Sequence, residues 1–477
     1  MKKRIITITE KDFDLLKSHL LREGNGEEAA LLVAGTSETK QSINFLVREV
    51  IPVPNDGFLE KWHAFLTISP DFMMPILKRC RYDRLSVILA HSHPFSGDSV
   101  TFSSIDANGE RILMPKIQQR IPDRHHGAIV LGRTSIDARI WEKRKKKSRP
   151  MDSIRVVGPQ IRTYQTTSAA SPGNPEATSQ NRHDRQKLAL GEAGQKKLQE
   201  ATVGIVGAGG VGSLVFQELV HLGVEKFVII DDDVVEESNL SRIVGSMPKD
   251  AANRTPKVKV MKRLSRQINP EVRISSVKDS VNNASAALML RDADVIFCCT
   301  DNLLSRIVLN RMAFQYLIPL IDMGIDIQCN EQGKIATAGG RVMVILPDGP
   351  CLECLSILNP ETIQQEMRQI EDGQRVQHGY ISGATVEAPS VISLNGVIAS
   401  LAVTAFLSLL TGFESQKDPD TYQVYRVLKG DVRLATMTPT NSCTLCKEVR
   451  SLGDGVNLPC NTNMKEMQTK CLTLNRG

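Results

Sequence analysis

Four of the ten cysteines form two C-x-x-C pairs, Cys351 with Cys354 and Cys443 with Cys446. Four thiolates at this spacing suit a closed, tetrahedral zinc site, which stabilises a fold and leaves no coordination position open for catalysis. Thiol exchange does not need two separated pairs, so a redox role explains the pattern less well. The sequence therefore predicts one structural zinc ion.

A second group of metal-binding residue types lies in the first quarter of the chain. His91 and His93 follow an apolar run that predicts a buried strand, and Asp106 belongs to a Ser-x-x-Asp pattern that favours the start of a helix. Two histidines and an aspartate leave an open position for water, which is the layout of a catalytic zinc site. Because a lone histidine pair is more often structural, the hypothesis depends on Asp106.

A catalytic zinc site also needs a general base that activates the water. Two adjacent glutamates, Glu27 and Glu28, come just before an apolar run that predicts a strand at 29–33. The spacing to Gly35 favours Glu28, which is therefore the predicted base.

This pattern resembles the JAB/JAMM (MPN-type) metalloprotease family, which removes ubiquitin-like proteins at their C-termini. The resemblance covers about residues 5–141 and consists of the His-x-His-Pro, Ser-x-x-Asp and upstream glutamate motifs. It implies that His91, His93 and Asp106 bind zinc, that Glu28 activates the water, and that Ser103 hydrogen-bonds the developing oxyanion. The gap from His93 to Ser103 is slightly longer than the family's usual spacing, so the loop at 95–100 is an insertion or has shifted.

A glycine-rich segment at 207–212 follows an apolar run that predicts a strand, and it opens a predicted helix. Its glycines allow a tight turn and close backbone approach, and the N-terminus of a helix attracts phosphate. Asp231 ends the next predicted strand, at the distance where an acidic residue holds a ribose. By itself the segment predicts a nucleotide site and fits an NAD-dependent oxidoreductase as well as an ATP-using enzyme.

The residues that follow resemble the ThiF/MoeB and ubiquitin-activating superfamily. The resemblance covers about residues 184–446, and its motifs occur in the family's order. It implies that Asp231 binds the ribose, that Asn239, Arg242 and Lys257 contact the phosphates, and that Asp301 binds Mg²⁺. The full predicted nucleotide-binding set is Gly207, Gly209, Gly210, Gly212, Asp231, Asp233, Asn239, Arg242, Lys257 and Asp301.

Arg185 matches an arginine that, in this superfamily, reaches into the site of the neighbouring subunit. The resemblance therefore implies a homodimer. It also makes Arg185, Arg242, Lys257 and Asp301 the predicted catalytic residues of adenylation, since a carboxylate that attacks the α-phosphorus of ATP needs cations on both sides of it.

The two resemblances together predict that the chain adenylates the C-terminal glycine of a ubiquitin-like protein and carries a zinc-dependent peptidase that processes or removes this modifier. The expected cofactors are ATP, Mg²⁺ and two zinc ions, one catalytic and one structural. One alternative is activation of a sulfur-carrier protein for thiocarboxylate formation, with a sulfurtransferase rather than a conjugating-enzyme-like partner. The others are an NAD-dependent oxidoreductase with structural zinc and a scaffold whose peptidase-like domain only binds a modifier.

The elements that must position these residues indicate an α/β protein. Residues 1–142 predict an α+β JAB/MPN-type domain, and 143–181 predict a linker that is basic and then rich in Ser, Thr, Pro and Gly. Alternating strands and helices in 182–455 predict a Rossmann-like, doubly wound ThiF/MoeB-type domain with its zinc knuckle. Residues 456–477 predict a polar tail. There Cys460 and Cys471 could supply a mobile thiol if the adenylate is passed to a cysteine of this chain.

Composition sets further expectations for the 477 residues. The formal net charge of +6 comes largely from the basic run at 143–149, which is typical of a solvated linker, and aromatic content of 4% argues against base stacking. We therefore expect no nucleic-acid partner. The nearly uncharged stretch at 391–410 contains small and polar residues, which favours a buried helix over a membrane span. The N-terminus has no apolar run of signal-peptide length, so a cytoplasmic location is expected.

Overall fold

The computed structural model describes residues 2–23, 26–62, 65–169, 181–330, 332, 334–358, 363, 389–413, 422–436 and 443–460. The chain divides into two compact units. The first unit spans residues 1–178 and also includes Gln315–Leu317 and Val449–Asn457; the second unit contains the remaining residues.

The described residues of the first unit form eleven strands: β1 Lys3–Thr9, β2 Ala29–Glu38, β3 Ser42–Pro52, β4 Phe58–Trp62, β5 Phe65–Ile68, β6 Ser86–Ser92, β7 His126–Leu131, β8 Ile136–Trp141, β9 Arg149–Pro150, β10 Ser153–Val157 and β11 Arg162–Gln165. Strands β4 and β5 form a separate hairpin, and the others form one sheet in the order β11-β10-β1-β3-β2-β6-β7-β8-β9. Strand β9 pairs with β8, and β10 pairs with β1. Because β9 and β10 follow each other in one continuous segment, this segment connects the two sides and closes the sheet on itself.

In the part of this unit that the structure describes, three helices cover the sheet: α1 Glu10–Leu20, α2 Pro70–Tyr82 and α3 Ser104–Arg120. Side chains along β2 alternate between two hydrophobic cores, since successive residues of a strand point to opposite faces. Ala30 and Leu32 pack in the core that contains Leu16 of α1, and Leu31 packs in the core that contains Met114 of α3. Odd-numbered residues of β2 therefore face α3, and even-numbered residues face α1.

The predicted linker at 143–181 is wrong for its first half. Residues 149–165 form β9, β10 and β11, and the first unit continues to residue 178 instead of ending at 142. The physical reason is that Ile154, Val156 and Val157 of β10 are buried in the sheet, a pattern that the neighbouring basic run obscured. Residues 170–180 lie outside the described part of the chain.

The C-terminal segment Val449–Asn457 also belongs to the first unit, although it was predicted to fall in the adenylation domain and its tail. Ser451 Oγ donates to the carbonyl of Val47 over 2.8 Å, and Arg450 forms an ion pair with Asp12. A Cβ on Gly35 would lie 2.0 Å from the carbonyl oxygen of Ser451, so only glycine fits beneath the segment. The described part of the chain ends three residues after this segment, at Cys460.

In the second unit, eight strands form one sheet: β12 Thr202–Val206, β13 Lys226–Ile230, β14 Arg273–Val277, β15 Val295–Cys298, β16 Leu320–Cys329, β17 Ile335–Ile345, β18 Tyr422–Arg426 and β19 Asp431–Leu434. Their order is β14-β13-β12-β15-β16-β17-β18-β19, and the strands from β14 to β16 are parallel while those that follow are antiparallel. This arrangement confirms the predicted Rossmann-like α/β fold.

The helices from the start of the second unit onward are α4 Asp184–Glu200, α5 Gly210–His221, α6 Pro248–Ala252, α7 Lys257–Ile268, α8 Ala284–Ala287, α9 Leu303–Gln315, α10 Ile392–Thr411 and α11 Thr444–Glu448. Short 3₁₀ turns occur at Asn55–Gly57, Asn181–His183, Glu237–Asn239, Leu288–Asp292 and Val427–Lys429. Helix α10 is the one helix in the described residues that is long and apolar enough to cross a membrane. It packs against α4, α5, β16 and β17, as a core helix of this unit does.

Candidate active sites

The carboxyl ends of β12, β13 and β15 meet at one edge of the second sheet, and a predicted site residue follows each of them. Gly207 follows β12, Asp231 follows β13, and Asp301 lies three residues after β15. Ligands of open parallel sheets bind at this edge. The fold therefore brings the predicted nucleotide-binding residues together at one edge.

Two of the four predicted glycines are required by the backbone. Gly207 has a φ of +94°, and a Cβ there would lie 2.6 Å from the carbonyl oxygen of Cys299. A Cβ on Gly212 would lie 1.9 Å from the carbonyl oxygen of Gly207. The space beside Gly209, which precedes the first residue of α5, is open for 4 Å. The loop is therefore folded tightly on the protein side and leaves room at the helix N-terminus, where phosphate is favoured.

Asp231 holds this glycine loop in place. One carboxylate oxygen accepts a hydrogen bond from the N–H of Ala208 over 2.6 Å, and the other accepts one from the N–H of Asp233 over 3.0 Å. Burial raises the pKa of Asp231 to about 6. The predicted contact with a ribose stays a prediction, but the structure gives Asp231 a second, structural role that the sequence did not indicate.

Lys257 is the buried cation of this edge. It is the first residue of α7, and its Nζ lies 2.7 Å from Oδ2 of Asp233. Burial alone would lower the pKa of Lys257, but the charges of Asp231, Asp233 and Asp301 raise it above its ordinary value. The ammonium group is therefore held protonated next to three carboxylates, which is the charge state that a triphosphate requires.

Arg242 and Asn239 lie on the short segment between β13 and α6. Arg242 passes beside the glycine loop, since its Cδ lies 3.4 Å from the position that a Cβ on Gly210 would take, and its Nη1 donates to the carbonyl of Ser238 over 2.7 Å. Asn239 is buried and caps the turn by accepting a hydrogen bond from the N–H of Glu236 over 3.3 Å. Arg185 is exposed in the first turn of α4, and its predicted contact with a second subunit stays a prediction.

A buried ion pair next to Asp301 was missed by the sequence reasoning. Arg306 Nε donates to Asp322 Oδ1 over 2.9 Å, and Arg306 Nη2 donates to the carbonyl of Thr300 over 3.0 Å and to that of Met323 over 2.9 Å. Both residues of the pair are almost fully buried. The pair therefore ties the loop that carries Asp301 to β16. A buried arginine leaves no signal in a single sequence, because its burial depends on the fold.

The four predicted zinc-binding cysteines converge. Their sulfur atoms lie 3.4–3.6 Å apart along the four contacts that link Cys351, Cys354, Cys443 and Cys446 in a ring. A tetrahedron of Zn–S bonds of about 2.3 Å places neighbouring sulfurs about 3.8 Å apart. Hydrogen bonding from Cys446 lowers the pKa of Cys351 to about 5. The donor set fits a closed structural zinc site.

Three predicted metal ligands of the first unit also converge. Nε2 of His91 lies 3.2 Å from Oδ1 of Asp106, and Nε2 of His93 lies 3.3 Å from Oδ2 of the same carboxylate. Burial alone would raise the pKa of Asp106, but hydrogen bonds from the two histidines hold it well below its usual range. All three residues are partly exposed, so the cluster is open to solvent on one side.

Ser103 lies beside this cluster as the N-cap of α3. Its Oγ–H donates to Asp106 Oδ2 over 2.7 Å, and its Oγ accepts from the N–H of Asp106 over 3.1 Å. This is a capping box that fixes the aspartate. The predicted contact of Ser103 with an oxyanion stays a prediction, and it requires the hydroxyl to turn away from Asp106.

The structure places Glu27, and not Glu28, next to His93, and the predicted catalytic role of Glu28 stays a prediction. Ala29 of β2 lies directly opposite His91 of β6, so these two residues share a face of the sheet. If the register is continued by two residues beyond the strand ends, Glu27 comes opposite His93 on the same face. Glu27 Oε1 lies 3.5 Å from Nε2 of His93. Glu28 points to the opposite face.

On that opposite face Glu28 has other partners. Its Oε1 lies 2.5 Å from Nη2 of Arg22 and 2.6 Å from Nζ of Lys61. Its backbone N–H donates to the hydroxyl of Ser92 over 3.0 Å. Counting residues to Gly35 could not reveal this, because the facing direction is fixed by the pairing of β2 with β6.

A chain of contacts behind His91 was also missed. The ring of Phe102 lies 6.0 Å from that of His91, and the guanidinium of Arg139 lies 3.8 Å from the centre of the Phe102 ring. Arg139 in turn makes two hydrogen bonds of 2.8 Å to Glu110, which also accepts one from the indole of Trp141. These contacts fix the wall of the cluster next to α3.

Comparison with known proteins adds the evolutionary relationship. The chain is 34% identical over 188 residues to the SAMP-activating enzyme E1 of Haloferax volcanii, a match that covers 39% of this chain and 65% of that protein. It is 29% identical over 269 residues to the sulfur carrier protein ThiS adenylyltransferase of Bacillus subtilis, which covers 56% and 71%. It is 31% identical over 221 residues to the molybdopterin-synthase adenylyltransferase of Escherichia coli, which covers 46% and 77%.

The model of the ThiF family matches residues 183–446, which is more than half of the chain. The matched region contains the glycine loop, Lys257, the Arg306–Asp322 pair and the four cysteines. It confirms the predicted ThiF/MoeB-type domain. The chain belongs to the ThiF family.

Proposed function

We propose that the second unit adenylates the C-terminal carboxylate of a ubiquitin-like or sulfur-carrier protein. The observation that carries this proposal is Lys257, a buried ammonium group that is paired with Asp233 and stabilised by the charge of Asp231 at the edge where the glycine loop opens. Family membership and the names of the three relatives support it. An NAD-dependent oxidoreductase has no use for this arrangement, because hydride transfer does not build up charge on a triphosphate.

The residues divide the chemistry as follows. The first N–H groups of α5 and the cations Arg242 and Lys257 hold the phosphates, so that the carrier's carboxylate oxygen attacks the α-phosphorus and pyrophosphate leaves. Mg²⁺, when bound at Asp301, supplies a counter-charge for the phosphate oxygens. Arg306 and Asp322 keep the Asp301 loop in position. Arg185 of a second copy completes the site in the homodimer that the superfamily resemblance implies.

The adenylation proposal is tested without knowledge of the pathway. Titration calorimetry with ATP and Mg²⁺ is expected to give saturable binding, and NAD is expected to give none. Small proteins from neighbouring genes are then added one at a time as candidate carriers, and the true carrier is expected to make the enzyme exchange radioactive pyrophosphate into ATP. Binding of NAD in place of ATP would overturn the proposal. A partner that ends in glycine and a neighbouring sulfurtransferase would assign the reaction to sulfur transfer, whereas a conjugating-enzyme-like neighbour would assign it to conjugation.

We further propose that the first unit is a zinc peptidase that releases or trims the same carrier. His91, His93 and Asp106 form its ligand set, and Glu27 is its general base in place of Glu28. The supporting observation is that all four side chains converge on one face of the sheet with a solvent-open side. Zinc, when bound there, supplies an activated water for attack on the peptide carbonyl.

Elemental analysis of the purified chain is expected to find about two zinc ions, one for each ligand set. The double variant His91→Ala, His93→Ala is expected to keep about one, because the four cysteines are untouched. His221→Ala, which changes an exposed histidine of the second unit, serves as the matched control and should keep both ions. A single zinc ion in the unaltered chain, or two zinc ions in the double variant, would contradict the proposal that the first unit binds zinc.

A further inference from the structure

The basic run between β8 and β9 is an ordered turn. We refer to residues 142–149 as the basic turn. The N–H of Lys145 donates to the carbonyl of Glu142 over 2.9 Å, and the side-chain amide of Gln118 on α3 donates to the same carbonyl over 3.1 Å and to that of Lys145 over 3.3 Å. Arg149 then pairs with β8. The backbone of the turn is therefore held in place on the first unit.

The basic turn lines a cavity of about 350 Å³. Two further cations enter this cavity from the start of the chain, Lys2 and Arg4, and three come from the turn itself, Lys143, Lys145 and Arg149. Two carboxylates, Glu38 and Glu142, also line it. Five cations thus face two carboxylates, which leaves an excess of three positive charges in a small volume.

The two carboxylates serve to gather these cations. Glu38 binds Lys2 over 2.9 Å and Lys143 over 2.8 Å, and the hydrogen bond from Lys143 lowers the pKa of Glu38 to about 2. Glu142 binds Arg4 over 3.3 Å and Arg149 over 3.8 Å. Like charges are therefore held together by shared counter-ions, and the positive excess remains at neutral pH.

Arg4 is the most buried of the five cations, with 7% of its surface exposed. Its backbone N–H donates to Asp152 over 2.6 Å. Of its side-chain nitrogens, only Nε donates a hydrogen bond within the described residues, to Glu142 over 3.3 Å. Arg4 is one of the residues that line the cavity. A guanidinium group with two free N–H faces is the protein group best suited to paired hydrogen bonds with a phosphate.

We propose that the cavity and the basic turn bind the phosphodiester backbone of a nucleic acid. Several positive charges in one small cavity match an anion that carries closely spaced charges, as a phosphate chain does, better than carboxylates spread over a protein surface. The exposed lysines Lys146 and Lys147 continue the positive surface out of the cavity, so the ligand is a chain longer than one phosphate. The cavity has no Phe, Tyr or Trp in its lining, so no base stacks on an aromatic ring there.

This proposal reverses the expectation that the chain has no nucleic-acid partner. That expectation rested on a low aromatic content and on reading the basic run as a linker. Aromatic residues bear on base stacking and not on backbone binding, and the run is part of a folded turn. The proposal does not depend on adenylation, since every residue involved lies in the first unit.

The test is fluorescence anisotropy on the full chain with a labelled DNA of about 20 nucleotides, single-stranded and as a duplex, at about 50 and 200 mM salt. The triple variant Lys145→Gln, Lys146→Gln, Lys147→Gln is expected to raise the Kd for duplex about tenfold or more and to reduce the salt slope by about two to three. The variant Lys11→Gln, Lys17→Gln, Lys78→Gln changes three exposed lysines of the same unit and should bind like the unaltered chain.

A second variant locates the ligand in the cavity. Arg4→Lys keeps the charge and removes the paired hydrogen bonds, so it is expected to weaken binding about threefold to tenfold with little change of the salt slope. Absence of binding to either DNA at about 50 mM salt would overturn the proposal. Equal losses of DNA affinity in the two triple lysine variants would also overturn the proposal, because binding would then depend on the net charge of the protein and not on the basic turn. So would capture of inorganic polyphosphate without capture of DNA.

Discussion

Replacing Lys257 by methionine is expected to slow ATP–pyrophosphate exchange by about 10²- to 10³-fold, the cost of removing one preorganised charge from a developing negative centre. The side chain is buried, its ammonium group lies 2.7 Å from Asp233, and the charge of Asp231 acts on it as well. Without the ammonium group of Lys257, the phosphates would meet only the negative carboxylates of Asp231 and Asp233 at this part of the site. ATP binding is therefore expected to weaken as well, which calorimetry on the same variant measures.

The matched control is Lys259→Met, which changes an exposed lysine two residues along the same helix. It should exchange pyrophosphate at the rate of the unaltered chain. Thermal unfolding of both variants separates chemistry from folding, since methionine keeps the buried stem of Lys257 and loses only its charge. Exchange by Lys257→Met at the rate of Lys259→Met would show that Lys257 only balances Asp233 and has no part in adenylation.

The architecture of this edge could be predicted from the sequence because its signals are local. The glycine loop, the aspartate that ends β13 and the lysine that opens α7 each lie at the end of an element whose periodicity is clear. The Arg306–Asp322 pair could not be predicted in the same way. Its two residues are 16 positions apart, and nothing in the amino-acid sequence distinguishes a buried arginine from the many exposed ones.

The boundaries of the first unit were harder to predict for a related reason. The sheet is closed by β9 and β10, and these short strands come directly after a run of five cations. Local composition indicated a linker, whereas the stability of these strands comes from pairing with β8 and with β1, which is far away in the sequence. Val449–Asn457 joins the same unit from the other end of the chain, and no local pattern marks it.

The tail cysteines illustrate the same limit. Cys460 was expected to lie on a mobile tail, where its thiol could reach the adenylate. In the structure it is buried, and burial raises the pKa of its thiol to about 11. A buried thiol with this pKa is a poor nucleophile at neutral pH. Cys471 lies outside the described residues, and Cys329 is an exposed cysteine within them, so the route by which the adenylate is passed on stays a prediction.

Replacing Glu27 by glutamine is expected to lower the rate at which a fluorescent reporter is released from the C-terminus of the carrier by about 10²- to 10⁴-fold. The zinc content is expected to stay near two ions per chain. Glutamine has nearly the same shape and cannot take a proton from water. The prediction rests on the pairing of β2 with β6, which puts Glu27 on the face of His91 and His93.

Glu28→Gln is the matched control, because it makes the same change one residue away. It weakens the ion pairs with Arg22 and Lys61 on the other face of the sheet, so a loss of about 2 kcal/mol in unfolding free energy is expected with cleavage retained below the melting temperature. The two variants thus predict opposite readouts, activity lost with stability kept and stability lost with activity kept. The reverse result would mean that the strand end shifts by one residue when the substrate binds. Cleavage by both variants would leave the histidine cluster without a general base, and the first unit would then bind carriers rather than cut them.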